Sequence, residues 1–158
     1  MSYVEKSLMR GEELLYKAKI HWFVYVPGAV SLLVAIVFIS LAKGPSYLNV
    51  IPPVAILFGI YSLVMALIQT FTTELAVTTK RVIAKAGLIR RSTMELNHGK
   101  VESFNVDQSI LGRIFGFGTV VVNGTGGGQT PIPSIAAPLD FRREAMEAID
   151  GAQAHTAN

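Results

Sequence analysis

Histidine and cysteine set narrow limits on the chemistry open to this chain, which has three histidines and no cysteine. His21, His98 and His155 lie far apart and form no HExxH or comparable metal-ligand spacing. The lack of cysteine excludes a thiolate nucleophile, a zinc–thiolate site and a disulfide framework. There is no GxSxG motif, and the carboxylates follow no paired-acid motif. We therefore expect a protein that is not an enzyme and uses no metal or cofactor.

The glycine-rich stretch 124–128 resembles a phosphate-binding loop only superficially. Successive backbone N–H groups can bind anions, but the GxxxxGK[ST] pattern is absent and the stretch separates two β-patterned segments. A flexible hairpin loop is the better interpretation.

The net charge of +3 is modest and comes mainly from residues near two apolar runs, so we expect no nucleic-acid partner.

A basic cluster is the most informative polar feature. It follows the second apolar run and comprises Lys80, Arg81, Lys85, Arg90 and Arg91. Near an anionic leaflet each such residue contributes about 1 kcal/mol of attraction. The cluster is therefore a candidate lipid- or partner-binding site, although the same residues could serve only topology and solubility.

The segment 110–117 adds two further candidates, Arg113 and Phe115. It contains five large apolar side chains around a single charge. It could belong to the core, contact the membrane surface or form a partner surface, and of these the core is favoured.

Two apolar runs, 22–42 and 50–71, organise the chain. Each contains about 21 residues, enough for a helix to cross a hydrocarbon core of about 30 Å. Lys43 is the only charged residue between His21 and Glu74. The pattern predicts a transmembrane helical hairpin with a tight turn.

Basic residues flank this hairpin on its outer sides, with Lys43 alone between the spans. By the positive-inside rule, both termini are predicted to be cytoplasmic.

A stripe of small residues on each span predicts close helix packing within the hairpin or, for part of a stripe, between protomers. They are Gly28, Ser31 and Ala35 on the first span, and Ala55, Gly59, Ser62 and Ala66 on the second.

The remaining sequence predicts one α+β domain. Alternating residues at 13–20 indicate a strand that needs a partner outside the hairpin, within an N-terminal segment 1–21. Residues 72–151 predict an antiparallel meander, a glycine-limited helical turn, further strands and a C-terminal helix with Gly151 at its C-cap. This gives about seven strands capped by a helix, and a disordered tail at 152–158.

The motifs T-E-x-x-V-T-x-K-R, K-V-E-S, D-Q-x-x-x-G-R-x-x-G-x-G-T-V and P-x-x-F-R run through this domain. In these motifs the chain resembles bacterial pleckstrin-homology-like membrane proteins of the YdbS and YdbT type. The resemblance implies a PH-like fold, a bent seven-stranded sheet capped by a helix. It implies little biochemistry, because fold does not supply function.

Taken together, these features predict a multi-pass protein of the bacterial plasma (inner) membrane. We expect a non-catalytic, membrane-anchored PH-like module that binds or scaffolds protein partners or lipid headgroups at the cytoplasmic face. A subunit of a small oligomeric channel or lipid-transport assembly is the alternative. Expected partners are the lipid bilayer, further copies in a homo-oligomer and other membrane proteins.

Overall fold

The computed structural model describes residues 3–40, 50–87 and 92–156. The chain divides into two compact units: a helical unit of Trp22–Thr70, and a β-domain built from Met1–His21 and Phe71–Asn158. The predicted turn around Lys43, and the candidate residues Arg90 and Arg91, lie outside the described residues.

The helical unit contains two long apolar helices. A 3-10 turn at Trp22–Tyr25 leads into α2 (Val26–Ser40), and α3 spans Ile51–Thr72. Trp22–Ser40 and Ile51–Thr72 have mean hydropathies of 2.3 and 2.2, and both are long and apolar enough to cross a membrane. Only 11% of each apolar window is buried. A core helix of a soluble protein would instead be mostly buried, so this exposure favours association with a membrane.

The two helices pack antiparallel through small residues. Added Cβ atoms would lie 2.7 Å from Leu63 Cγ at Gly28 and 2.8 Å from Leu32 Cγ at Gly59, so only glycine fits at either position. Ser31 Oγ donates a 2.8 Å hydrogen bond to the Ala55 carbonyl. Gly28, Ser31, Ala55 and Gly59 thus contact the opposite helix of the same chain.

The β-domain contains seven antiparallel strands in two sheets. The first sheet has the order β1 (Leu14–Lys17), β2 (Glu74–Thr78), β3 (Arg81–Ala86) and β4 (Ser92–Asn97). The second has the order β5 (Val101–Asp107), β6 (Phe117–Gly124) and β7 (Gln129–Ala136). A short helix, α4 (Ile110–Phe115), joins β5 to β6, and α5 (Pro138–Thr156) follows β7.

The segment before the helical unit contacts both sheets. Leu14 is opposite Thr78 and Lys17 is opposite Ala76, so β1 and β2 pair although the hairpin separates them in sequence. Further along, Ile20 bridges Ile135, and His21 N–H donates to the Ser134 carbonyl at 2.7 Å. Part of the outer edge of β7 is therefore covered by the N-terminal segment.

The core lies between the two sheets and α5. Phe141, Ala145 and Ile149 recur at helical spacing and pack against strand residues that include Leu75 and Phe104. A second, smaller cluster lies on the outer face of the first sheet, where Val4 of α1 (Tyr3–Ser7) covers Ala76 and Ile83. Helix α1 was not predicted from the sequence.

The end of α5 differs from the prediction. The helix continues through Gly151 to Thr156, so the expected C-cap at Gly151 and the disordered tail from residue 152 are wrong up to Thr156. Gly151 does not adopt the left-handed conformation of a C-cap glycine. Alanine and glutamine follow it, and both favour helix, so the chain has no local reason to stop there.

Candidate functional site

The two chain connections to the helical unit define one end of the β-domain. The chain leaves this end after His21 and returns just before Glu74, the first residue of β2. We call it the proximal end. The opposite, distal end carries the β2–β3 turn, the 3-10 turn His98–Lys100 and the glycine-rich β6–β7 loop. The proximal end is therefore the end of the β-domain that lies nearest to the hairpin along the chain.

Strand register divides the predicted basic cluster between these ends. Glu74 is opposite Lys85, which places Lys85 at the proximal end. Lys80 and Arg81 lie at the distal turn, about 13 Å away along a five-residue strand. Closeness in sequence to the second span therefore does not bring Lys80 and Arg81 to the proximal end.

Arg81 is buried in an ion-pair network. Its Nε lies 3.0 Å from Glu12 Oε1, and its NH1 group lies 2.7 Å from Glu95 Oε2. Its NH2 group donates to Glu12 Oε2 at 3.1 Å and to the Ser7 carbonyl at 2.6 Å. These contacts hold the N-terminal segment against the sheet. Arg81 is engaged as a structural residue and is not available to a lipid headgroup.

Glu12, the main partner of Arg81, is also buried. Burial alone would raise the pKa of its carboxyl. The Met9 N–H, the Thr78 hydroxyl and the Arg81 guanidinium all favour the charged form, and together they hold the pKa below its usual value of about 4.5.

Glu74 and Lys85 contact α1 at the proximal end and stabilise its position against the sheet. The Glu74 carboxylate accepts hydrogen bonds from the backbone N–H groups of Tyr3 at 2.9 Å and Val4 at 3.3 Å. Lys85 Nζ lies 4.5 Å from the centre of the Tyr3 ring. A negative charge at the first turn of a helix is favourable, and so is a cation over an aromatic face. Lys85 remains only partly buried, so its charge can still act on a nearby surface.

Helix α4 carries the other two candidates, Arg113 and Phe115. The Ser109 side chain caps its first turn, and Gly116 ends it in the left-handed conformation with φ of 76°. Gly112 faces the domain, where an added Cβ would lie 2.5 Å from the Phe117 carbonyl oxygen. The favoured expectation that this segment belongs to the core is wrong, because Ile110 is 79% exposed and Ile114 is 69% exposed.

His21 and His98, the two histidines whose side chains are described, occupy structural positions. His21 stacks on Phe117 with ring centroids 5.3 Å apart, and His98 is buried with Nε2 2.9 Å from the Thr78 carbonyl oxygen. The side chain of His155 lies outside the described residues. Among the described residues, no group of three His, Cys, Asp or Glu side chains could hold a metal ion.

The distal end also contains a cavity of about 660 Å³, which the sequence analysis did not anticipate. Met9, Lys80, Arg81 and His98 are among the residues that line it. Because Arg81 is paired with two carboxylates, it adds little net positive charge to this cavity.

The family model described as Bacterial PH domain matches residues 23–149. The chain belongs to this family. In this bacterial PH domain the match extends from the first apolar helix to α5, so the family pattern includes the helical unit as well as the strands. Neither a curated protein nor a solved structure matches the chain.

Proposed function

We propose that this protein is a non-catalytic, membrane-anchored PH-like module that binds or scaffolds lipid headgroups or protein partners at the cytoplasmic face of the bacterial inner membrane. The observation that carries the proposal is the pairing of β1 with β2 across the apolar hairpin. Because these strands are hydrogen-bonded to each other, both ends of the hairpin are anchored in one folded domain.

The connections between the two units are very short. Trp22 follows His21 directly, and only Thr73 separates α3 from β2. A domain tethered this closely to a membrane span experiences a high effective concentration of headgroups. Even weak contacts at the proximal end would then be occupied.

Anionic lipid headgroups would be attracted to the basic residues of the proximal end. Lys85 is partly exposed, and Lys19 and Arg113 are exposed. Each basic residue near an anionic leaflet contributes about 1 kcal/mol of attraction, so together they would hold the proximal end against the surface. Arg81 is excluded from this set by its ion pairs, and Lys80 by its distal position.

A comparison of Lys85 with Lys80 tests the proposal on the full chain. We would measure acetylation rates of both amines by mass spectrometry in nanodiscs of zwitterionic lipid, with and without phosphatidylglycerol. The proposal expects anionic lipid to slow acetylation of Lys85 several-fold and to leave Lys80 unchanged. Both amines have contacts within the domain, so each is compared with itself across lipids. Equal responses of the two lysines would contradict headgroup binding at the proximal end.

The alternative of an oligomeric channel gains little support from the described part of the hairpin. Ser31 donates to Ala55, the Tyr25 and Thr70 hydroxyls lie 2.9 Å apart, and Ser40 donates to Ile36. These polar groups are satisfied within one chain, whereas a hydrated path needs polar groups that face water.

The homo-oligomer remains a prediction. Several small residues contact the opposite helix of the same chain and part of the β7 edge is covered, so the exposed apolar surface of the hairpin is the main support for association. The mass of the particle in nanodiscs tests it. A strictly monomeric particle over a wide concentration range would remove both the oligomer and the channel.

A further inference from the structure

Helix α4 presents a compact apolar surface that the β-domain leaves uncovered. Ile110, Leu111 and Ile114 are 79%, 52% and 69% exposed, and Phe115 is 44% exposed. Four of the six residues of this helix are therefore large apolar side chains in contact with the surroundings. Exposed apolar groups concentrated in this way mark an interaction surface.

The local structure holds these side chains outward. Gly112 contacts the domain so closely that no larger residue fits, and Gln108 Nε2 donates to the Phe117 carbonyl at 3.0 Å. Both helix ends are capped, by Ser109 and by Gly116. The outward orientation is thus built into a well-formed turn and does not result from a loose loop.

The position of α4 identifies what covers this surface. Phe117, two residues after the helix, stacks on His21 at a centroid distance of 5.3 Å. His21 immediately precedes Trp22, where the first candidate span begins. This contact places the end of α4 beside the residue that directly precedes the first candidate span.

The side-chain chemistry of α4 also matches a membrane interface. Isoleucine, leucine and phenylalanine suit the upper acyl region, and the exposed Arg113 has a long stem that can direct its guanidinium to phosphates. This combination of exposed apolar side chains and one basic residue favours the lipid surface as the occupant.

We propose that α4 is a third membrane contact, which inserts Ile110, Leu111 and Ile114 into the boundary between headgroups and acyl chains of the leaflet that the hairpin enters. This inference rests on the membrane anchoring proposed above. If so, α4 restricts how the domain can tilt on the bilayer, because the domain is then held at the two spans and at a third, separate apolar contact.

Single-cysteine labelling tests the inference, and the absence of native cysteine means that no background must be removed. Ile114→Cys in the full chain is labelled with a small environment-sensitive fluorophore and reconstituted in vesicles of phosphatidylethanolamine and phosphatidylglycerol. Thr125→Cys is the matched control. It is also exposed, but it lies beyond the far end of β6, about 25 Å from α4.

The inference expects lipids brominated near the headgroup to quench the label at Ile114→Cys, with several-fold weaker iodide quenching than at Thr125→Cys. Equal iodide quenching at the two positions would overturn it. Protection from iodide without quenching by brominated lipid would also overturn it, because the occupant would then be a protein.

A third labelled variant separates failure of this inference from failure of the proposed function. Leu57→Cys lies within α3, where the native side chain is 69% exposed. Brominated-lipid quenching at Leu57→Cys but not at Ile114→Cys would reject only the role of α4. Absence of quenching at both positions would reject the membrane anchor itself.

Discussion

The Arg81 guanidinium and the Glu12 carboxylate form a two-pronged ion pair, with Nε–Oε1 at 3.0 Å and NH2–Oε2 at 3.1 Å. One partner precedes the apolar hairpin in sequence and the other follows it. Both are buried, so the pair joins the two chain segments with little exposure to solvent. The integrity of the β-domain therefore depends on residues from both sides of the hairpin.

Removal of the Arg81 side chain should destabilise the β-domain strongly. Arg81→Ala leaves the buried Glu12 carboxylate without its cation, and breaking a buried pair in this way costs about 3–5 kcal/mol. The measurement is chemical unfolding of the full chain in detergent. Arg142→Ala is the matched control, because Arg142 is exposed on α5, and its effect should stay within about 0.5 kcal/mol. Similar losses in the two variants would contradict a special role for Arg81.

Acid should weaken the domain through Glu12. The pKa of Glu12 is lower in the folded chain than its usual value of about 4.5, so the unfolded chain takes up this proton first as the pH falls. The stabilisation from Glu12 is complete above pH 4.5 and is lost as the pH falls from there through the folded-state pKa.

Melting temperatures measured across this pH range, for the native chain and Glu12→Gln, isolate this contribution from those of other carboxylates. The native chain should be the more stable above pH 4.5, and the difference should shrink on acidification. A constant difference at all pH values would argue against the lowered pKa.

A bulky residue at Gly59 should disrupt the helical hairpin. In Gly59→Leu the new Cβ would lie 2.8 Å from Leu32 Cγ, and overpacking of this kind costs about 1–3 kcal/mol. Thermal unfolding of helical circular dichroism in detergent measures the loss. Ala29→Leu adds side-chain volume at an exposed position of α2 and serves as the control. If Gly59→Leu unfolds like the native chain but loses self-association, the stripe would instead join protomers.

The C-terminus should be cytoplasmic. Basic residues flank the outer sides of both apolar helices, and such residues are retained on the cytoplasmic side. Fusions at Asn158 should give active green fluorescent protein and inactive alkaline phosphatase. The reverse pattern, with phosphatase activity in the periplasm, would contradict the predicted topology.

Local sequence patterns were enough to predict the classes of structure in this chain. Two uninterrupted apolar runs indicated two membrane-length helices, and alternation of apolar and polar residues indicated seven strands, because helices and strands repeat with different periods. The glycines that limit the segment 110–117 likewise predicted a helical turn between strands, and the structure contains α4 there. These features follow from local chemistry and can be read without knowledge of distant partners.

Which candidate residues are available for binding depends on contacts between residues that are distant in sequence. Arg81 and Lys85 are four positions apart in sequence, yet strand register places them at opposite ends of β3 and buries one in an ion pair. The apolar residues of α4 have the sequence pattern of a core segment. In the structure Gly112 occupies the inner face of this helix, and the large apolar side chains are exposed. Burial and pairing depend on partners as distant as Glu12 and Glu95, and local sequence does not carry that information.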